Sequence, residues 1–288
     1  MEWHEISIEV PYEYVEPISY LFDRYGHGLS METIGPDQVL LRTYLPSTSR
    51  QRLAHIEVGV NLTRILQPLG ELKVLPLDQD EDWQNAWKVH FTLLKLGQHL
   101  VIKPSWIDYQ PEAEDVVIEL DPGLAFGTGY HPTTHTCLEA LEHLIRPGMN
   151  VLDLGTGSGI LTIAAVKLGA AQVVALDIDS IAVRAARQNM RSLGIQSQVT
   201  LAQGTLPHPQ AGATAYDLVL ANISARAIRE RAAYILPVLK PEGVLIASGI
   251  ISEQQPETEE ALRKAGFISI EEWPKEDWVT LVCRADSG

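Results

Sequence analysis

The chain has 288 residues, 45% of them hydrophobic, and a formal net charge of −15 at pH 7. This length suits one large and one small domain, and the hydrophobic share is ordinary for globular proteins. The negative charge disfavours general affinity for nucleic-acid backbone and permits attraction to a basic partner, although an acidic surface also serves solubility alone. The sequence shows no apolar run of membrane-spanning length, no signal peptide, and two cysteines far apart. We therefore expect a cytoplasmic protein with reduced core thiols and no membrane contact.

The first 75 residues predict elements in the order β-α-β-β-α-β, which is typical of a ferredoxin-like module. Predicted strands lie near 6–10, 29–33, 39–45 and 72–74, and predicted helices cover 14–25 and a segment from Ser47 or Ser49 to about Gly70. Many such modules bind RNA, but this segment has ten acidic and six basic residues and no basic-aromatic strand signature. We expect a protein-docking module, with a purely structural appendage as the alternative.

Residues 76–98 differ in composition and are interpreted as a linker region with a helix. Acidic residues precede Trp83 and Trp87, which are one helical turn apart. We expect both tryptophans to pack this helix onto a neighbour, and an aromatic platform for a ligand is the alternative. The predicted domains are therefore 1–75, a linker at 76–98, and a large domain at 99–288.

From residue 99 onward, strands and helices alternate, which predicts an open, doubly wound α/β sheet. Two short strands at 99–103 and 116–120 precede a glycine-rich loop at 121–134. A helix at 134–145 follows, for which Thr133 or Thr134 is the candidate N-cap. The last two predicted strands give the sheet an antiparallel end. Further predicted strands cover 150–154, 172–176, 199–202, 217–221, 244–248, 268–270 and 278–282, and further predicted helices cover 159–168, 181–193, 225–239 and 257–265.

A glycine-rich turn follows the strand at 150–154. Gly155, Gly157 and Gly159 form a G-x-G-x-G pattern, whereas Ile160 stands where a dinucleotide fingerprint needs glycine or alanine. Such a turn lets a ligand approach the backbone, and the free N–H groups at the start of the following helix could hold a phosphate or a carboxylate. Asp177 ends the next strand, 22 positions after Gly155, where α/β nucleotide sites place their ribose-binding acid.

Other polar residues are predicted at the same edge of the sheet. Asn222 directly follows a strand, where it either caps the next helix or receives an amine, and we favour the amine. Asp153 either accepts from the amino group of a ligand or caps the turn, and Asp179 is expected to cap the following helix. His131 has no second ligand at metal spacing, so no metal site is predicted.

Several stretches together resemble class I methyltransferases that use S-adenosyl-L-methionine. Within that superfamily they resemble the bacterial family that methylates ribosomal large-subunit protein eleven. The loop that ends in HPTT is the specific signal, whereas the glycine turn occurs throughout the superfamily. The stretches are DPGLAFGTG at 121–129 with HPTT at 131–134, DLGTGSGIL at 153–161, DID at 177–179, ANI at 221–223 and SGII at 248–251.

This resemblance implies a Rossmann-like methyltransferase sheet and cofactor contacts from Thr134, Gly155, Asp177 and Asn222. It implies transfer of methyl groups to lysine side-chain or N-terminal amines of a basic ribosomal protein, with a mobile loop at 121–134 covering the site. Asn222 would position the amine, and no general base is assigned. The alternatives are another protein's lysine or a small amine as acceptor, and a non-catalytic cofactor-sensing or RNA-binding module.

We further expect a monomer that makes no direct contact with nucleic acid. Two positions depart from the family pattern, which usually has cysteine at Thr156 and leucine at Ser224. The first change should not affect cofactor binding, and the second borders the acceptor pocket. Because Asp177 is predicted at a sheet edge, we expect its replacement by alanine to abolish cofactor binding with little loss of stability.

Overall fold

A computed structural model describes residues 3–11, 14–35, 38–64, 69–76, 92–121, 129–213 and 215–285. The chain divides into two compact units, Met1–Thr92 and Leu93–Gly288. Trp83, Trp87 and the central part of the glycine-rich loop, residues 122–128, lie outside the described residues. Among the described residues, no helix is long and apolar enough to cross a membrane.

The described part of the first unit is an antiparallel sheet with two helices. Its elements are β1 (Trp3–Pro11), α1 (Val15–Tyr25), β2 (His27–Gly35), β3 (Gln38–Pro46), α2 (Arg50–Arg64) and β4 (Lys73–Pro76). The strands stand in the order β2-β3-β1-β4, with every pairing antiparallel. Ile6, Ile8 and Val10 alternate along β1 and are buried with Ile18 and Phe22 of α1. The element order predicted from hydrophobic alternation is therefore confirmed.

The second unit begins with a small sheet, followed by one large mixed sheet. The small sheet contains β5 (Leu94–Leu96), β6 (Leu100–Lys103) and β7 (Val116–Glu119). The large sheet contains β8 (Asn150–Leu154), β9 (Gln172–Asp177), β10 (Val199–Gln203), β11 (Tyr216–Asn222), β12 (Leu239–Ile251), β13 (Phe267–Lys275) and β14 (Trp278–Ala285). Among the described residues, its order is β10-β9-β8-β11-β12-β14-β13. The first five strands in this order are parallel, and β14 pairs antiparallel with both of its neighbours.

Helices cover both faces of the large sheet. They are α3 (Pro132–Leu144), α4 (Ile160–Lys167), α5 (Ser180–Ser192), α6 (Ala225–Ile235) and α7 (Gln255–Ala265). Successive strand residues such as Val151 and Leu152 belong to two different buried clusters, one with α3, α4 and α5 and the other with α6 and α7. Because both faces of the sheet are covered, its central strands are continuous apolar runs. Such runs are a clear strand signal in the sequence. Cys137 and Cys283 are buried free thiols, as predicted.

Some element boundaries differ from the predictions. The helix predicted to reach residue 239 ends at Ile235 and continues as a 3₁₀ turn, because Pro237 lacks an N–H donor. Strand β12 starts at Leu239 rather than at 244. Strand β13 extends beyond the predicted 268–270 and includes Pro274, which an edge strand tolerates. Strand β5 was missed because three residues are too few to show a period.

We predict that Glu142 stabilises the second unit by fastening α3 to the turn between β5 and β6. Its two carboxylate oxygens accept from the backbone amides of Gln98 and His99, at 2.7 and 2.8 Å. In Glu142→Gln, an amide N–H would face one of these donors, so the free energy of unfolding should fall by about 1–2 kcal/mol in urea denaturation. Glu260→Gln is the control, because the exposed pair of Glu260 with Lys264 contributes little. Equal effects of the two substitutions would contradict this role.

Candidate active site

The carboxyl ends of the five parallel strands form one edge of the large sheet. The register pairs Leu154 of β8 with Leu176 of β9 and with Ala221 of β11. Gly155, Asp177 and Asn222, each the next residue along the chain, therefore follow at one level. Ligands of open α/β sheets bind at this edge, outside the strand ends.

The glycine turn uses backbone conformations that other residues rarely adopt. The φ angles of Gly155, Gly157 and Gly159 are 75°, 56° and 87°, all in the left-handed region. The amide of Gly155 donates to the carbonyl of Leu176 at 2.8 Å, and that of Gly157 donates to Asp177 Oδ2 at 2.9 Å. These two amides therefore hold the end of β9, whereas the expectation of ligand binding concerns the N–H groups at the start of the following helix.

Asp177 is held by the backbone on both of its oxygens. Besides the bond from Gly157, its Oδ1 accepts from the amide of Asp179 at 2.9 Å, and the residue is only 8% exposed. The expectation that Asp177 contributes little to stability assumes a position outside the core, whereas the side chain is buried and its removal would leave two backbone donors without their acceptor. Each carboxylate oxygen has room for a further hydrogen bond, so the group can accept from a pair of hydroxyls. Asp179 accepts from the amide of Ile181 at 2.8 Å and caps α5, as predicted.

Asp153 is a fully buried carboxylate beneath the same turn. Its Oδ2 accepts from the hydroxyls of Thr156 and Thr162, each at 2.7 Å, whereas its Oδ1 has no partner among the described residues. Burial raises the pKa of Asp153 to about 6, and the charge of Asp177 adds to this against the lowering effect of the two hydroxyls. One oxygen therefore supports the turn, and the other is a buried acceptor that can take a further hydrogen bond.

Asn222 is connected to the first turn of α3. Its Nδ2 donates to Thr134 Oγ1 at 3.4 Å, which leaves the amide oxygen to accept. Thr134 is fully buried, although it is at the start of a helix. The structure thus brings together Asn222 and Thr134, which are 88 positions apart.

The prediction that Thr133 or Thr134 caps α3 is wrong. The helix begins at Pro132, and the N-cap is His131, whose Nδ1 accepts from the amide of Thr133 at 3.3 Å. Proline suits the first helical position and forces the residue before it into an extended conformation. Burial, with a smaller contribution from His135, lowers the pKa of His131 to about 4, so its ring is neutral at pH 7 and can accept.

A buried network of hydroxyl groups fixes the start of α3 to the sheet. Thr280 Oγ1 of β14 lies 2.5 Å from Thr136 Oγ1 of α3 and 2.6 Å from Ser248 Oγ of β12. Thr136 Oγ1 also donates to the carbonyl of Thr133 at 3.2 Å. Sequence reasoning missed this network because its members come from three distant elements. Its effect is to hold Thr134 in place opposite Asn222.

The loop after β11 packs between two glycines. A Cβ on Gly155 would lie 2.3 Å from Cγ2 of Ile223, and a Cβ on Gly249 would lie 2.2 Å from the carbonyl oxygen of Ile223. The amide of Ile223 donates to the carbonyl of Ser248 at 3.1 Å. Ser224 then caps α6 by accepting from the amide of Ala227 at 3.4 Å, a role that a leucine could not perform. Asn222 directly precedes these residues and is therefore positioned by the glycine turn, by β12 and by the start of α6.

A mixed α/β sheet with a glycine turn after one strand and an acid at the end of the next is typical of S-adenosyl-L-methionine-dependent methyltransferases, and the family match assigns the chain to this class. Residues 2–286 match the family model described as "Ribosomal protein L11 methyltransferase (PrmA)". The chain belongs to that family and is an enzyme whose cofactor is S-adenosyl-L-methionine.

Relatives and a solved structure agree with this assignment. The chain is 42% identical to "Ribosomal protein L11 methyltransferase" of Chloroflexus aurantiacus, over 98% of each chain. It is 36% identical to the protein of the same name from Listeria monocytogenes, over 99% of each chain. The crystal structure of ribosomal protein L11 methylase from Lactobacillus delbrueckii subsp. bulgaricus is 33% identical, with a TM-score of 0.59 over 68% of this chain and 98% of that one.

The raised pKa of Asp153 predicts a specific dependence of stability on pH. Between about pH 4 and pH 6 the folded protein keeps a proton on Asp153 that the unfolded chain releases, so rising pH lowers stability. The difference of about two between the folded and unfolded pKa of Asp153 corresponds to roughly 3 kcal/mol in the free energy of unfolding. In urea denaturation of the ligand-free protein, the free energy of unfolding of Asp153→Asn, measured relative to that of the wild type, should therefore rise by about 3 kcal/mol between pH 4 and pH 7. A difference between the two proteins that does not change with pH would contradict this assignment.

Proposed function

We propose that this enzyme transfers methyl groups from S-adenosyl-L-methionine to lysine side-chain and N-terminal amines of ribosomal protein L11 in the cytoplasm. Family membership supports the acceptor protein. The observation that carries the site assignment is the pair of carboxylates at the glycine turn, Asp177 and Asp153. One has spare acceptor positions on both oxygens, and the other has one buried oxygen without a partner among the described residues.

These residues suit the two ends of the cofactor. Asp177 would accept from the ribose hydroxyls, and Asp153 Oδ1 would accept from the ammonium group of the methionine half. Gly155 would let that half approach the backbone, and Thr134 would complete the contact set together with Asn222. When bound, the cofactor would supply an electrophilic methyl group on a positively charged sulfur. A neutral amine would bond to the methyl carbon as the carbon–sulfur bond breaks, and the neutral thioether would leave.

The acceptor amine must lose its proton before it can attack. Lysine has a reference pKa near 10.4, so its neutral fraction at pH 7 is on the order of one in a few thousand, a cost of roughly 4–5 kcal/mol. We assign no general base, and the proton leaves to water before attack. The role of Asn222 is to position the amine: its Nδ2 is engaged by Thr134, so its oxygen accepts an N–H of the incoming amine.

We also propose that the first unit is a ferredoxin-like module that recognises the substrate. Its element order, β-α-β-β-α-β, and its sheet order, β2-β3-β1-β4, support this assignment.

Val58 and Leu62 lie one turn apart on α2 and are about 60% exposed, which suits protein docking. We propose this module at 1–75, a linker at 76–98 whose last residues include β5 of the second unit, and the methyltransferase domain at 99–288. The sheet of that domain is Rossmann-like and ends in antiparallel strands.

Incubation of the purified chain with methyl-labelled S-adenosyl-L-methionine and ribosomal protein L11 tests the proposed function. Label should enter the ribosomal protein, and peptide mass spectrometry should place it on lysine side chains or on the N-terminal amine. A lysate from cells that lack this enzyme serves as a second acceptor pool. Label in another protein alone, or in no protein, would sink the proposal.

For Asp177→Ala, calorimetry should show cofactor affinity reduced at least about 100-fold, because two hydrogen bonds to a charged acceptor are lost. The free energy of unfolding should also fall, by about 2–4 kcal/mol, because the amides of Gly157 and Asp179 lose their acceptor. Asp179→Asn is the control: asparagine still caps α5, so affinity should not change. An Asp177→Ala protein that binds the cofactor normally would show that the ribose is held elsewhere.

For Asn222→Ala, the expected effect falls on turnover rather than on stability. Loss of the amide oxygen should lower kcat about 100-fold, because the amine is no longer oriented for attack. The KM for the ribosomal protein should change only a few-fold, since docking depends on a wider surface. Steady-state kinetics at saturating cofactor measures both constants. A kcat equal to that of the wild type would remove Asn222 from the proposed role.

A further inference from the structure

This acidic chain contains one long segment without a carboxylate. Residues 180–216 contain no Asp and no Glu, although the whole chain has 37 acidic residues among 288. The same segment contains Arg184, Arg187 and Arg191 and no lysine. A protein of net charge −15 therefore has a local region of positive charge, and the function proposed above does not use it.

The three arginines share the solvent face of α5. Their spacing of three and four residues places them side by side, and all three are exposed. The opposite face packs into the core through Ala182, Val183, Ala186 and Met190. The arginines are therefore not needed to bury α5 against the sheet.

None of the three guanidinium groups forms an ion pair with a described residue. Arg184 contacts Ser180 Oγ at 3.4 Å, whereas Arg226 and Arg263 elsewhere in the second unit pair with glutamates. Like charges at this spacing weaken a helix, so folding alone does not account for the arginines.

The surface between these side chains is concave. A groove of about 520 Å³ is lined by Arg184, Arg187, Gln188, Arg191 and Ser192. A second groove of about 240 Å³ shares Arg187 and Arg191 and reaches Val199 and Leu201 of β10, the outermost strand of the large sheet. The lining offers hydrogen-bond donors without a competing carboxylate, which suits an anionic ligand.

We propose that this arginine surface, defined by Arg184, Arg187 and Arg191 with Gln188 and Ser192, binds the phosphate backbone of single-stranded RNA. A planar guanidinium can donate two parallel hydrogen bonds to a phosphate. The backbone positions of the three arginines are separated by about 4.5 and 6 Å along the helix axis. Such a row matches a repeated anionic backbone and carries no base specificity.

The inference rests on the proposed function for its choice of polyanion, because a ribosomal-protein substrate belongs to an RNA-containing assembly. It departs from the expectation that this chain makes no direct contact with nucleic acid. That expectation followed from the net charge, which averages over the whole surface, whereas a phosphate responds to the local potential.

Fluorescence anisotropy of a labelled oligouridylate RNA with the full chain tests this proposal. Contacts to three phosphates of a single strand predict a slope of about −2 in log affinity against log salt, or about a 20-fold loss between 50 and 200 mM salt. The variant Arg184→Gln, Arg187→Gln, Arg191→Gln should bind at least 10-fold more weakly, with a slope near zero. Its rate of methyl transfer to free ribosomal protein L11 should equal that of the wild type, which separates this proposal from the function itself.

The matched control removes three exposed cations elsewhere in the second unit, Arg226→Gln, Arg263→Gln and Lys264→Gln, for the same change in net charge. It should bind RNA within twofold of the wild type. Absence of binding by the wild type, equal loss in both variants, or equal binding by the wild type and the Arg184, Arg187, Arg191 variant would overturn the proposal. Displacement of the RNA by poly-glutamate of equal charge would assign the surface to an acidic protein instead.

Discussion

The carboxylate of Asp177 accepts hydrogen bonds from the amides of Gly157 and Asp179, and the cofactor side of the site depends on this one interaction. It joins the glycine turn after β8 to the end of β9. The turn can reach Asp177 only because its glycines adopt left-handed φ angles. Both oxygens are fixed before a ligand arrives, and each still has an acceptor position. The residue that binds the ribose in our proposal is thus preorganised by the backbone it stabilises.

The acceptor side is positioned in a different way. Asn222 ends β11, directly before Ile223, which two glycines accommodate. Its partner Thr134 is in the first turn of a helix that buried hydroxyls attach to β12 and β14. Buried polar groups of this kind stabilise only when each finds a partner, and these do. Asp153 Oδ1 is an exception among the described residues, and the raised pKa of that carboxyl reflects its cost. Functional sites often carry such a cost, which ligand binding can offset.

Much of the large sheet was predictable because its strands are buried on both faces. The strand at 150–154 was located without error, and the ends of β9, β10 and β11 were located to within one residue. The common level of Gly155, Asp177 and Asn222 follows from topology, since parallel strands end at the same edge. These conclusions need only hydrophobic periodicity and the order of elements along the chain.

Interactions between distant residues were not predictable. The Thr136, Ser248 and Thr280 hydroxyls come together only in the folded chain, and so do the bonds of Glu142 to the turn before β6. The threonines at the start of α3 match the composition of an N-cap, but Pro132 occupies the first helical position and makes His131 the cap. The backbone bonds of Asp177, which make it structural as well as a candidate ligand group, form only when the glycine turn meets the end of β9. The covering role of the loop at 121–134 stays a prediction, because residues 122–128 lie outside the described part of the chain.

Amide hydrogen exchange at Gly157 tests the preorganised site most directly. Followed by NMR, the Gly157 amide should exchange slowly in the ligand-free enzyme, because Asp177 already accepts from it. Its protection should rise little when S-adenosyl-L-methionine is added. Exchange at the rate of an open loop in the free enzyme, with protection only after cofactor binding, would contradict this account and show that the cofactor organises the turn.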